Sequence, residues 1–148
     1  ALANFSCYGA KNVDVAAPGV GIISTTPMNH YLAVSGTSQA SPYVANIAGR
    51  IKDINPSLDF RGIKKIILET VDVKSWLVGK VKTSGLVNRE RALRAAELSR
   101  TVDLNQAIGQ SKNEILAKTE NDLAAEPRLN QVGKEMVMPL PSPMTFNF

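Results

Sequence analysis

Ser35-Gly36-Thr37-Ser38-Gln39-Ala40-Ser41-Pro42 is the segment whose residue types and spacing could do chemistry. It falls where an alternating pattern, with Leu32 and Val34 apolar, gives way to apolar positions at helical spacing. A serine at such a junction meets the unpaired N–H groups and the positive dipole end of a helix. Acting as a nucleophile, Ser38 would attack a carbonyl, and those N–H groups would hold the oxyanion that forms. Gly36 leaves the turn unobstructed. Ala40 keeps the helix close to its neighbours, and Pro42 is expected in the first turn, where proline is tolerated. The competing reading is structural, because Thr-Ser ahead of a helix is commonly an N-cap.

A nucleophilic serine also needs a base. The sole histidine, His30, precedes Ser38 by eight residues, in a Pro27-Met28-Asn29-His30 turn. It is not expected to reach the hydroxyl with an orienting partner of its own. Asp14 is expected to be a surface carboxylate at a strand edge. Cys7 is expected to be a small buried or loop residue rather than a reactive thiol, with no cation or His beside it to lower its pKa.

The elements that must position Ser38 follow from the pattern around it. Alternation predicts short strands over residues 12–17, 20–25 and 31–35, broken by Pro18-Gly19 and by Pro27 with Asn29. Ala40, Val44, Ala45, Ile47, Ala48, Ile51 and Ile54 predict a helix that Asn55-Pro56-Ser57 stops. A second helix is predicted over 59–70, with Ile63, Ile66 and Ile67 inward and Lys64 and Lys65 outward. Residues 72–84 read as irregular with a Lys-rich, hairpin-like patch. Gly85-Leu86-Val87-Asn88 reads as a short strand ending in an N-cap for a helix over 89–100. Beyond residue 100 the composition turns polar, with Leu104, Ile108 and Ile115 as a thin apolar stripe. Residues 101–148 are therefore set apart from 1–100 as an extension, helical and then Pro-rich and extended, either packed on the domain or a linker.

Composition bounds the function. The 148 residues suit one domain, and 44% apolar with 20% charged residues suits a buried core. One cysteine excludes an intrachain disulfide and a multi-Cys zinc site, and one histidine argues against a His-rich metal centre. The net charge of +4 is concentrated in residues 61–100, with ten basic and four acidic side chains. Those cations are spaced like the wet faces of helices and lack an aromatic stacking platform, so a nucleic-acid partner is not expected. Residues 15–49 carry no formal charge, but their prolines, glycines and hydroxyls exclude a bilayer helix. The chain begins Ala-Leu-Ala-Asn rather than Met, so it is expected to be a processed product or a piece of a longer protein.

Gly36-Thr37-Ser38-x-Ala40-x-Pro42 resembles the serine-nucleophile motif of the subtilisin-like serine proteases, the subtilases, at five fixed positions in seven. Other segments resemble the family in the same order. They are Leu2-Ala3-Asn4-Phe5-Ser6 with Tyr8-Gly9, Val13-Asp14-Val15-Ala16-Ala17-Pro18-Gly19, Ile22 to Thr26, and Gly85-Leu86-Val87-Asn88 with Ala92. The resemblance covers residues 1 to about 100 and not 101–148. It implies an α/β fold, a partial subtilisin-like domain with a mostly parallel sheet flanked by helices. It implies a serine endopeptidase with an Asp, His, Ser triad in that order along the chain, Ser38 being the nucleophile and its N–H an oxyanion donor. Gly36, Thr37, Ala40 and Pro42 would be supporting residues, the Thr37 hydroxyl giving secondary help.

The sequence also departs from the family. No Asp-Thr-Gly or His-Gly-x-His segment occurs in it, so the resemblance places both partners, the side-chain oxyanion Asn and the specificity-pocket strands upstream. Gln39 stands where Met is common, which lowers sensitivity to oxidation. Tyr43 and Asn46 stand where His and Gly are usual. No cofactor is required by the implied chemistry. Calcium accompanies many members of the family, but no acidic loop of calcium-binding spacing occurs here. The implied partners are a polypeptide substrate and the upstream part of the same domain, and the implied location is secreted or periplasmic. A non-catalytic subtilase-like binding or regulatory module is the alternative. Without partner strands, the sheet is expected to have an open edge and the piece to be prone to association.

Overall fold

The apolar spacing after Gly36 produces the long helix α1, Thr37–Ile54, in a computed structural model that describes residues 1–116. Ile47 and Ile51, one turn apart, are fully buried and anchor its C-terminal half. The next helix, α2 (Phe60–Glu69), is capped by Asp59, whose carboxylate accepts the Gly62 N–H at 2.7 Å. It buries Ile66 and Ile67 and leaves Lys64 in solvent, as its period predicts.

Ahead of α1, strands β1 (Ile22–Thr26) and β2 (His30–Val34) form an antiparallel hairpin, with Ile22 opposite Val34 and Thr26 opposite His30. Three residues connect them, and Met28 and Asn29 take left-handed backbone angles, φ 62° and 63°. So short a loop can join only antiparallel neighbours, because a parallel pair needs a long crossover. The parallel arrangement expected of the sheet survives among the described residues as one bridge, between Ala16 and Leu86. Ala16 donates to the Gly85 carbonyl at 3.0 Å, and Val87 donates to the Ala16 carbonyl at 2.8 Å. The strand predicted over 12–17 is thus extended chain held by this bridge and by Lys82 and Thr83, whose N–H groups bond the Val13 and Asp14 carbonyls.

Residues 72–84, predicted irregular, begin with strand β3 (Asp72–Val73), followed by a 3₁₀ turn at Ser75–Leu77. Strand β3 pairs antiparallel with β4 (Gly85–Leu86). Helix α3 (Arg89–Leu98) then starts at Asn88, whose side chain accepts the Arg91 N–H at 2.9 Å, as predicted. Its small buried residues Ala92, Ala95 and Ala96 let α1 approach on one side and α4 (Leu104–Glu114) on the other. Helix α4 is capped by Asp103 and buries Ala107, Ile108 and Ser111, and Arg94 of α3 is ion-paired with its Glu114. Residues 101–116 therefore pack on the helices before them. The Pro-rich part of the expected extension lies outside the described residues.

The core joins Ile47, Ile51, Ile66, Ile67, Val87, Ala92, Ala95, Ala96 and Ile108. Among the described residues every fully buried apolar side chain lies at or beyond Ile47. Val15, Ala17, Tyr43 and Val44 rest against this core only partly buried. No helix of the described residues is long and apolar enough to cross a membrane.

Candidate active site

Ser38 is the second residue of α1 and is exposed. Its hydroxyl does not cap the helix. The N-cap is Gly36, in extended conformation, and among the described residues no side chain caps this terminus. The structural reading of Thr37-Ser38 as an N-cap is thereby corrected. The capping carbonyl is that of Gly36, which accepts the N–H of Gln39 at 3.1 Å and of Ala40 at 3.4 Å. The Ser38 N–H has no partner among the described residues. It is one of the free donors at a positive helix end, suited to hold an oxyanion.

Pro42 is inside α1, one turn past Ser38, rather than in the first turn as predicted. Having no N–H, it cannot donate to the Ser38 carbonyl four residues back. The regular helix ladder therefore fastens neither polar backbone group of Ser38. Gly36 is tied more firmly, since its N–H donates to the Gly19 carbonyl at 2.8 Å. The Gln39 side-chain oxygen folds back against Gly36, and a Cβ at Gly36 would come within 2.7 Å of it. Ala40 faces Gly19 closely enough that a Cβ on Gly19 would sit 3.2 Å from its own. Thr37 is exposed at the first helical position. A cleft of about 460 Å³ opens beside this turn, lined among others by Phe5, Pro18, Val20, Thr37, Ala40 and Trp76.

Gly36, Thr37, Ser38, Ala40 and Pro42 are thus brought into one strand-to-helix turn. His30 is not. It stands at the far end of β2 from Val34, about 13 Å along the strand at 3.3 Å per residue. Asp14 is half-buried and ion-paired, 2.8 Å from Lys64 Nζ and 3.9 Å from Lys82 Nζ. The Lys64 hydrogen bond, helped by the charges of both lysines, holds its carboxyl below the usual carboxylate range, against a partial burial that pushes it up. Cys7 is exposed. Tyr43 is half-buried behind the turn and Asn46 is in solvent. Among the described residues no three His, Cys, Asp or Glu side chains group to hold a metal ion.

Sequence reasoning missed two features. Arg91, read as one of many solvated cations, is 5% exposed and bonds the Asp72 carboxylate at 3.2 Å. Ser35, predicted as a strand end, has a hydroxyl that accepts the Gly21 N–H at 2.9 Å, across fourteen residues. The signal for the second was present in Pro18-Gly19-Val20-Gly21, a glycine pair with only one residue between.

The serine turn docked on the Ala-Pro-Gly loop brings together two of the segments that resemble the subtilases. The chain belongs to the subtilase family, whose family model matches residues 1–118. It is similar to subtilisin-like protease 1 of Plasmodium vivax, 41% identical over 91 residues, which are 62% of this chain and 14% of that protein. It is also similar to alkaline elastase YaB of Bacillus sp. (strain YaB), 43% identical over 94 residues, 62% of this chain and 24% of the relative. Among solved structures, the A-subunit of the AB5 toxin from E. coli superposes with a TM-score of 0.58 at 31% identity, over 60% of this chain and 29% of that one. A structure of the subtilase cytotoxin SubAB assembly gives 0.56 at 26% identity, over 73% and 30%. The matches thus span less than a third of each of these four proteins.

Proposed function

We propose that the protein to which this chain contributes is a serine endopeptidase, with Ser38 as its nucleophile and a polypeptide as its substrate. The single observation that carries this reading is the state of Ser38. Among the described residues its hydroxyl caps no helix, and its N–H is an unpartnered donor at a positive helix terminus. Ser38 Oγ attacks the scissile carbonyl while a histidine accepts its proton and an aspartate orients that histidine. The proton then passes to the leaving amine, and water releases the acyl group from Ser38. The Ser38 N–H stabilises the oxyanion in both steps, where donors fixed before reaction are most effective. His30 and Asp14 do not fit the roles of base and orienter, so the triad is completed by residues outside this chain. The chain alone is inactive on this reading, and the family's habit of export makes a secreted or periplasmic site the working expectation.

The test uses the full-length protein. Ser38→Ala should lower kcat on a peptide substrate by about 10⁶-fold, and a fluorophosphonate should label Ser38 and no other residue of this chain. Undiminished hydrolysis in Ser38→Ala sinks the proposal. Absence of both hydrolysis and labelling in the unaltered protein points instead to a non-catalytic binding module.

A further inference from the structure

We infer that the Pro18–Gly21 loop is a clamp that sets the position of Ser38, with Gly19 and Ser35 as its positioning residues; this rests on Ser38 being the nucleophile. The need for a clamp comes from the backbone. The Ser38 N–H is unpartnered among the described residues, and Pro42 denies its carbonyl the usual helical donor. The place of Ser38 therefore depends on Gly36, two residues before it. Two bonds from one loop grip that stretch. The Gly36 N–H donates to the Gly19 carbonyl at 2.8 Å, and the Gly21 N–H donates to Ser35 Oγ at 2.9 Å. Gly21 is in the left-handed region, φ 65°, a conformation that glycine adopts without strain.

The grip is also steric. A Cβ on Gly19 would lie 2.7 Å from the Gly36 carbonyl oxygen, a backbone atom that cannot swing aside like a side-chain end. That same oxygen accepts the Gln39 and Ala40 N–H groups that begin α1. Displacing it moves the first turn of the helix and Ser38 with it. Neither Gly19 nor Ser35 takes part in proton transfer. They act on where Ser38 Oγ and the Ser38 N–H stand relative to the reacting carbonyl, and reaction rates are steep in that displacement.

The experiment compares full-length wild type with Ser35→Ala, Ser35→Thr, Gly19→Ala and Ser38→Ala. It reads kcat and KM on a peptide substrate, the rate of fluorophosphonate labelling, and the fraction folded at the assay temperature. Ser35→Ala should lower kcat and labelling rate about five- to tenfold with KM nearly unchanged, the share of one hydrogen bond. Ser35→Thr, which restores the hydroxyl, should return both to near wild type. Gly19→Ala should lower kcat about 10²-fold in the folded enzyme. If Gly19→Ala does not fold, the Ser35 pair decides the matter. The inference is overturned if Ser35→Ala keeps its kcat, if Thr fails as badly as Ala, or if activity merely tracks the folded fraction. Loss of Ser38 as the labelled residue instead overturns the proposed function, and the clamp with it.

Discussion

Arg91 is buried at 5% exposure and ties α3 to residues 70–72 and to Ile115. Its Nε bonds the Ile115 carbonyl at 2.9 Å, and its Nη1 reaches the Thr70 and Val71 carbonyls and the Asp72 carboxylate. Asn88 donates to the same carboxylate at 3.1 Å while it caps α3. Removing the guanidinium takes away the charge that Arg91 sets against Asp72, which is buried at 1% exposure. Arg91→Met is therefore expected to lower unfolding free energy by about 3–5 kcal/mol in a urea titration. Ser38→Ala should change it by less than about 0.5 kcal/mol, since that hydroxyl caps nothing. A large loss in Ser38→Ala would mean the serine has a structural task after all. Ser38 and Asn88 were legible in the sequence because their signature is local, a polar residue one step before or inside a helical period. Arg91 was not, because its burial depends on the carbonyl of Ile115, twenty-four residues away at the C-terminal cap of α4, and spacing within one helix does not specify a contact that distant.

Elements add a second level of dependence. The extended segment around Asp14 is fastened to α2 by Lys64 and to the loop before β4 by Lys82. Folding lowers the Asp14 pKa, so the pairing stabilises the native state above the unfolded pKa, about 4, and is lost as pH falls through the lower native value. Wild type and Asp14→Asn should differ in urea midpoint at neutral pH and converge in acid. A half-exposed pair is screened, so added salt should narrow the gap. A gap that widens in acid would contradict the assignment. Strand β4 gives a sharper test. A Cβ at Gly85 would overlap the Val71 side chain, so Gly85→Ala should destabilise by about 1–3 kcal/mol, seen as a lower melting midpoint. The existence of strands over 20–35 was legible from alternation. Their antiparallel pairing was not legible that way, because a period of two fixes which side chains share a face and says nothing of strand direction. The three-residue Pro27-Met28-Asn29 loop held that information.

Across the whole molecule the sheet is left with an edge. Ala16 turns its N–H and carbonyl toward Gly85 and Val87, so the neighbouring Val15 and Ala17 turn theirs the other way, where no partner stands among the described residues. Such an edge is a template for another strand. The isolated chain should self-associate as its concentration rises, and Val15→Pro, which removes one edge donor, should reduce that in size-exclusion chromatography with light scattering. A monomer at all concentrations would show the edge to be protected.

Helix α1 straddles a boundary, with Ser38 near one end and the fully buried Ile47 and Ile51 toward the other. Amide exchange will sort its residues by that boundary. Protons near Ile51 should exchange only when the core opens, and those at Gln39 to Val44 by local fraying that leaves the core intact. The candidate nucleophile thus rides on the breathing end of a helix whose other end is moored. Anything that settles over the serine should slow exchange across Gln39 to Val44 and leave Ile51 as it was.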